Sequence, residues 1–385
     1  MTRTATRKNS GAMRIFAVVF CLTIGCVCTA QAMEVEGTAY LSGGNPPQGI
    51  MVIFTEASPS AHSDTAFTDA HGIFDLYLQT GWYDVTYRHF GYADFVLGLI
   101  YLRSNLTMQP VTLMPPLRGR LNGTIGPGDF HVTDSLYVAP GETAALLPGT
   151  HLYFDRVVPF YIAGRLTAVG TETDSILFSR RYSTGYQATW RGITFSDADP
   201  TSQLQFVVIE HAIKAEYRNG GGLYAFHTDL GIMQTTFRYD HGDYGGGAFF
   251  ENCAPRAEGC LFVENIANGG AGLGLRYSGA TVTDCRFQGN SATYSGGGIY
   301  ADGSSVMTIS RCQFVGNAAF DGAGVAVLAR RSRLPSPTWS SRFAPHGPAR
   351  PSASTATSPR TSTTHTSPTP PSCGGTSRPR GVSSR

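Results

Sequence analysis

Charge is what this chain has least of. Only 15% of its 385 residues are Asp, Glu, Lys or Arg, and just two are lysines, Lys8 and Lys214. The net charge of +2 is also uneven, because eight arginines and no acid follow Arg330, so the first 330 residues carry −6. A mildly acidic body of this kind offers no basic face to nucleic acid. Other absences are just as exclusive. There is no G-x-S-x-G, no HExxH, no phosphate loop and no Cys/His zinc spacing, which removes the motif-defined hydrolases, zinc proteases and nucleotide-binding enzymes. Neither an EF-hand loop nor the Ca²⁺-binding G-G-x-G-x-D nonapeptide occurs. A helical period is missing throughout. Glycine is abundant instead, at 46 residues, and 42% of the chain is hydrophobic. That mixture suits a β-rich exported protein.

The glycines are organised. Phe237-Arg-Tyr-Asp240, Phe262-Val-Glu-Asn265, Phe287-Gln-Gly-Asn290 and Phe314-Val-Gly-Asn317 are each followed by a small-residue cluster such as Gly245-Gly-Gly or Gly296-Gly-Gly. A unit of about 25 residues is too short to fold alone and buries its apolar face only against the next copy. Phe237, Phe262, Phe287 and Phe314 are therefore expected as a stacked core. Asp240, Asn265, Asn290 and Asn317 are expected as a turn ladder whose amides bond the coils on either side. Cys260, Cys285 and Cys312 each stand two residues before a repeat phenylalanine and share its inward face. They read as a stack of small buried side chains, with a disulfide open where neighbours come close. Cys253, outside that register, is the plausible disulfide partner.

Rougher segments of paired short β runs precede these repeats, including Asp134-Ser-Leu-Tyr-Val, Ile162-Ala-Gly-Arg-Leu and Trp190-Arg-Gly-Ile-Thr-Phe. The expected fold is all-β, with seven or eight coils of a solenoid across residues 117–328. The repeats resemble the right-handed parallel β-helix, pectate-lyase-like superfamily. F-x-x-N with G-G-[AG] is also similar to repeats of polymorphic outer-membrane proteins, which are surface adhesins.

Residues 33–115 are a separate unit of short alternating strands with Gly, Pro and Asp turns, as an antiparallel β-sandwich requires. The ordered residues Gly37, Pro47, Gly49, Val52, Thr68, Asp69, Gly72, Phe74, Gly81, Tyr83 and Val85 resemble the carboxypeptidase regulatory-like domain. The resemblance implies an accessory module. Residues 1–32 read as a signal peptide, with Arg3, Arg7, Lys8 and Arg14 before the apolar run from Ile15 to Val27, then Ala30-Gln-Ala32. That run is too short to favour a membrane span. A lipoprotein anchor at Cys26 is the minor alternative. Residues 329–385 hold 10 of the 22 prolines among Ser, Thr and Arg, and are expected to be disordered. A stalk would have this composition. So would a shifted reading frame, which the break inside a repeat favours.

Candidate chemistry is sparse. Glu210, His211, Asp240, His241, Asp243 and Glu264 are the carboxylates and imidazoles nearest one another in successive coils, where β-helix lyases and hydrolases carry theirs. Ca²⁺ enters only under that reading; no other cofactor or metal is expected. Each has a plainer role as a turn or solvated residue. Tyr239, Tyr244, Tyr277, Tyr294 and Tyr300 lie in or beside the loops and can stack on sugar rings, or simply fill turns. The expectation is an exported bacterial surface or extracellular solenoid that binds an extracellular polysaccharide or cell-surface glycan without catalysis. It has no nucleic-acid partner and no membrane span in the mature chain. The alternative is a polysaccharide lyase or glycoside hydrolase.

Overall fold

The computed structural model describes residues 32–57, 62–155, 157–182, 189–213, 219–303 and 305–328, with a two-residue strand at Arg3–Thr4. The expected signal peptide, Cys26 and the tail from 329 lie outside the described residues, residue 32 and that short strand apart. Two sheets open the fold. One runs Ser63–Phe67, Met51–Glu56, Gly81–Arg88, Phe95–Leu102, all antiparallel neighbours. The other sets Met33–Leu41 against Ile73–Leu78, with Leu106–Thr107 and Val111–Leu113 parallel to it. Strict alternation packs Val35, Val52, Phe54, Phe74, Val85 and Tyr87 into one shared core. The Thr68–Phe74 turn shows why its sequence is what it is. The Asp69 carboxylate accepts the amides of His71 and Ile73, both at 2.9 Å. Gly72 has φ +80°, and a Cβ there would lie 2.4 Å from the Ala39 carbonyl.

From Pro116 the chain winds into a parallel β-helix. Gly128–Val138 is long enough to serve two walls, its first half pairing Thr150–Phe154 and its second half Phe160–Ile162. A third wall of eight strands begins at Gly123–Ile125 and ends at Val306–Ser310. Beyond the irregular first pairing of Pro116–Arg120, the pairings along these walls are parallel and in register, so each inward side chain sits above its counterpart. Phe237, Phe262, Phe287 and Phe314 stack with centroids 5.0, 4.7 and 4.9 Å apart and planes within 6°. Asn265 Nδ2 donates to Asn290 Oδ1 at 3.0 Å, and Asn290 Nδ2 to Asn317 Oδ1 at 2.9 Å. Each of those amides also donates to a backbone carbonyl one coil back, on Phe237 and Phe262.

The corners are made by single residues in the left-handed region. His211, Tyr239 and Glu264 occupy one corner with φ of 58°, 59° and 50°, followed by glycines at 289 and 316. Asn252 and Tyr277 do the same at a second corner, Gln234, Asp284 and Arg311 at a third. One such residue reverses the backbone, and the next side chain then points inward onto a ladder. Cys260, Cys285 and Cys312 follow the third corner, fully buried and free. Cys253, the expected disulfide partner, is free as well. It follows the second corner and stacks with Thr228 and Ser278, whose groups bond it at 3.4 and 3.2 Å. Seven residues from Cys260 in sequence, it belongs to a different ladder.

The hydrogen bond with Cys260 pushes the Cys285 thiol up to about 12, and Cys312 is raised through its contact with Cys285. Thiolates, not thiols, react. Alkylation of the native protein followed by peptide mass spectrometry is expected to leave Cys253, Cys260, Cys285 and Cys312 unmodified until denaturant is added. Labelling of any of the four in the native state would contradict this packing.

Arg181 and Tyr182 are among the residues that join the two units. Arg181 Nη2 donates to the Thr112 carbonyl at 2.6 Å, and its guanidinium lies 4.6 Å from the centroid of Phe95. Tyr182 stacks on the same ring at 5.5 Å.

Candidate functional site

The acid–base candidates are spread over different parts of the coil. Asp240 points into the core and is fully buried. His211 and Glu264 stand at the first corner two coils apart, with Tyr239 between them; the His211 and Tyr239 rings stack at 5.1 Å. His241 is exposed two residues beyond its corner, and Asp243 bonds the Asn268 amide. Glu210 alone has polar company on the outer wall. Its carboxylate takes Ser179 Oγ at 2.7 Å and Arg238 Nε at 2.6 Å. Burial alone would raise the Glu210 carboxyl, but Ser179 and Arg238 outweigh it and hold it below the usual range. Burial, with Arg180 nearby, pushes His211 down. A carboxylate committed to an arginine is a weakened base, while the imidazole of His211 is stacked on the Tyr239 ring. Among the described residues no three His, Cys, Asp or Glu side chains are grouped as a metal would require. A shallow depression of about 570 Å³ lies elsewhere, beside His151 and Asp174, where His151 Nδ1 meets Asp129 at 2.8 Å.

The tyrosines divide differently. Tyr239 and Tyr277 project from two separate corners, and Tyr294 lies exposed on the short strand Ser291–Ser295. Tyr244 and Tyr300 come together, with centroids 5.3 Å apart. Tyr300 belongs to a longer line. Cα pairing runs Tyr137, Tyr161, Thr194, Tyr224, Phe249, Gly274, Tyr300 through successive coils of one wall. These are the outward positions, since Leu136, Phe160, Ile193, Leu223, Ala248, Leu273 and Ile299 beside them are all buried. Five aromatic rings thus share one column on the outside of the rod. At about 4.8 Å per coil the column is on the order of 30 Å long.

The column has an open and a closed end. Tyr137 and Tyr161 are 39% and 42% exposed, and Tyr224 is half-buried. Phe249 points outward yet is fully covered. The next coil has glycine at the paired position, where a Cβ on Gly274 would lie 2.5 Å from the Phe249 ring. Tyr224 stacks on Phe249 at 6.1 Å, and the Arg276 guanidinium lies 5.5 Å from the same ring and 5.8 Å from Tyr244. Arg276 is itself held between Glu251 and Asp302, 3.9 Å from each. Burial and the hydrogen bond to Glu251 at 2.9 Å raise the Tyr224 phenol, and burial beside Asp302 raises Tyr300. The Tyr224 hydroxyl spends its proton on Glu251. A line of aromatic rings with hydroxyl tips presents apolar area with polar edges.

Residues 182–335 match the family model described as the right handed beta helix region. The match agrees with the parallel coils and covers the four repeats, but is shorter than half the chain. No curated protein sequence matches this chain. Among solved structures, the chain is similar to part of a type II cohesin–X-dockerin complex from Acetivibrio cellulolyticus, at 15% identity and a TM-score of 0.19. That likeness covers 22% of this chain and 58% of the other, and at such a score it carries no argument.

Proposed function

We propose that this is an exported β-helix protein that holds an extracellular glycan on its outer aromatic column without cleaving it. The single observation behind the reading is the in-register line Tyr137, Tyr161, Tyr224, Phe249, Tyr300, open to solvent at its first two rings. Sugar rings present an apolar face that stacks on such aromatics while their hydroxyls bond the phenol tips. Export rests on the signal-like residues 1–32. The N-terminal sheets, similar in their turn residues to carboxypeptidase regulatory-like domains, would be an accessory support. Secretion or a cell-surface location, with the Cys26 anchor as the minor form, belongs to the same proposal.

The test is a pull-down of the purified protein on insoluble polysaccharides, with Tyr161→Ala beside it. Removing one exposed stacking ring is expected to weaken retention about tenfold, as a loss of roughly 1.4 kcal/mol gives. Equal retention of the variant would sink the reading. The lyase or hydrolase alternative would centre on Glu210 and Arg238. New ultraviolet-absorbing unsaturated ends or reducing ends, abolished in Glu210→Gln, would establish it in place of the binding role.

A further inference from the structure

We infer, resting on the glycan reading above, that the open part of the aromatic column accepts a neutral polysaccharide and discriminates against anionic ones. The argument comes from what surrounds the rings. The residues two before and two after Tyr137, Tyr161, Thr194 and Tyr224 flank these rings along the chain. None is ionisable: Ser135, Pro159 and glycines precede, while Ala139, Ala163, Ser196 and Phe226 follow. An anionic chain laid here would find no cation among these residues to offset the hydration its carboxylates or sulfates give up.

The arginines at the two ends of the column do not alter this. Arg120, paired in register with Tyr137, is bound to Glu142 at 2.7 Å. Arg276 lies between Glu251 and Asp302. Both of these cations are therefore already paired with carboxylates. The open segment from Tyr137 to Tyr224 covers three coil steps, on the order of 15 Å. Thr194 leaves a dip between the second and third rings, so a short run of consecutive sugars spans three tyrosines. Stacking and neutral hydrogen bonds would carry the affinity, with little dependence on ionic strength.

Native affinity electrophoresis of the full chain tests this. Gels would contain hydroxyethylcellulose or galactomannan as neutral probes and polygalacturonate or alginate as anionic ones. The expected result is retardation in at least one neutral gel, unchanged by added salt. It should fall about tenfold or more in Tyr137→Ala/Tyr161→Ala and be kept in Tyr161→Trp, which retains a stacking face. Both tyrosines are surface residues, and circular dichroism and the unfolding midpoint confirm that the variants fold. Retardation only in anionic gels, lost in the double alanine variant, would overturn the neutral-glycan inference while leaving the column as the binding surface. No retardation in any gel, or retardation indifferent to the double variant, would overturn the inference and the glycan reading together.

Discussion

Replacing Phe262 with alanine is expected to cost the solenoid about 3–5 kcal/mol, the range for removing a fully buried phenylalanine. Phe262 sits between Phe237 and Phe287 with its ring planes within 5° of both neighbours. It has no exposed surface. The narrow core of a parallel β-helix cannot close over the vacancy, because the walls are fixed by in-register backbone bonds to coils above and below. Strand Leu261–Val263 is pinned on one side to Thr236–Arg238 and on the other to Arg286–Gln288. The cavity term is therefore kept almost whole, and two ring stacks are lost with it. In a rod where each coil touches only its neighbours, the damage should also be local. Hydrogen exchange is expected to speed up in the coils holding Phe237 and Phe287 well before those near Phe154. Val263→Ala, one residue away but facing outward, is the control and should cost under about 1 kcal/mol. Equilibrium urea unfolding of the two variants decides the matter: a cost for Phe262→Ala no larger than that of the control would refute the stacked core.

Much of this core was legible because its residues are chosen by a repeating environment. Phe, Asn, Cys and the Gly cluster recur every 25 to 27 residues between Phe237 and Asn317, where the coils have almost equal length. The outer column was not legible for the opposite reason. Its members are 24, 33, 30 and 25 residues apart from Tyr137 to Phe249. Corner insertions of varying length hide a register that the backbone bonds keep constant. A signal was present after the fact, since Tyr224, Phe249 and Tyr300 each stand two residues after a Gly-Gly pair, on the alternate face from the buried residue between. Tyr244 and Tyr300 read alike as loop tyrosines, yet only Tyr300 belongs to the column, and Tyr244 packs against it from outside. The corners misled in another way. His211, Tyr239 and Glu264 adopt a backbone usually given to glycine, so turn chemistry read from glycine alone passes over them. Their side chains project because the corner needs the backbone, not because a site needs the group. Cys253 and Cys260 are neighbours in sequence but lie past different corners, which sends them to separate ladders.

Asp240→Asn is expected to stabilise the protein at neutral pH and to remove most of a pH dependence that the wild type shows. Asp240 occupies the first polar rung of the asparagine ladder. Its Oδ1 accepts the Ala212 amide at 2.8 Å, and its own amide donates to Asn265 Oδ1 at 3.0 Å. Its Oδ2 is buried without a hydrogen-bond partner and faces Gly222. In the next two rungs the corresponding atom is an amide nitrogen, which donates to the asparagine oxygen of the following coil and to a carbonyl of the preceding one. By the same register, Oδ2 of Asp240 is directed at two acceptors, Asn265 Oδ1 and the Ile209 carbonyl. Only the protonated acid can serve there. Burial is the largest influence and raises the Asp240 carboxyl well above its ordinary value, the Ala212 bond opposing it. The folded state then holds a proton that the unfolded chain releases near the ordinary aspartate value of about 3.9. Protons bound are fewer in the unfolded state, so stability from this residue is fully present below that value and declines as pH rises toward the folded value. Asparagine supplies the donor at every pH. Urea unfolding at pH 5 and pH 8 should therefore show the wild type losing more stability than Asp240→Asn between the two, with the variant ahead at pH 8 by about 1–3 kcal/mol, the cost of an unsatisfied buried polar group. Parallel pH profiles for the two proteins would mean that the carboxyl is not held neutral, and that the ladder begins at Asn265.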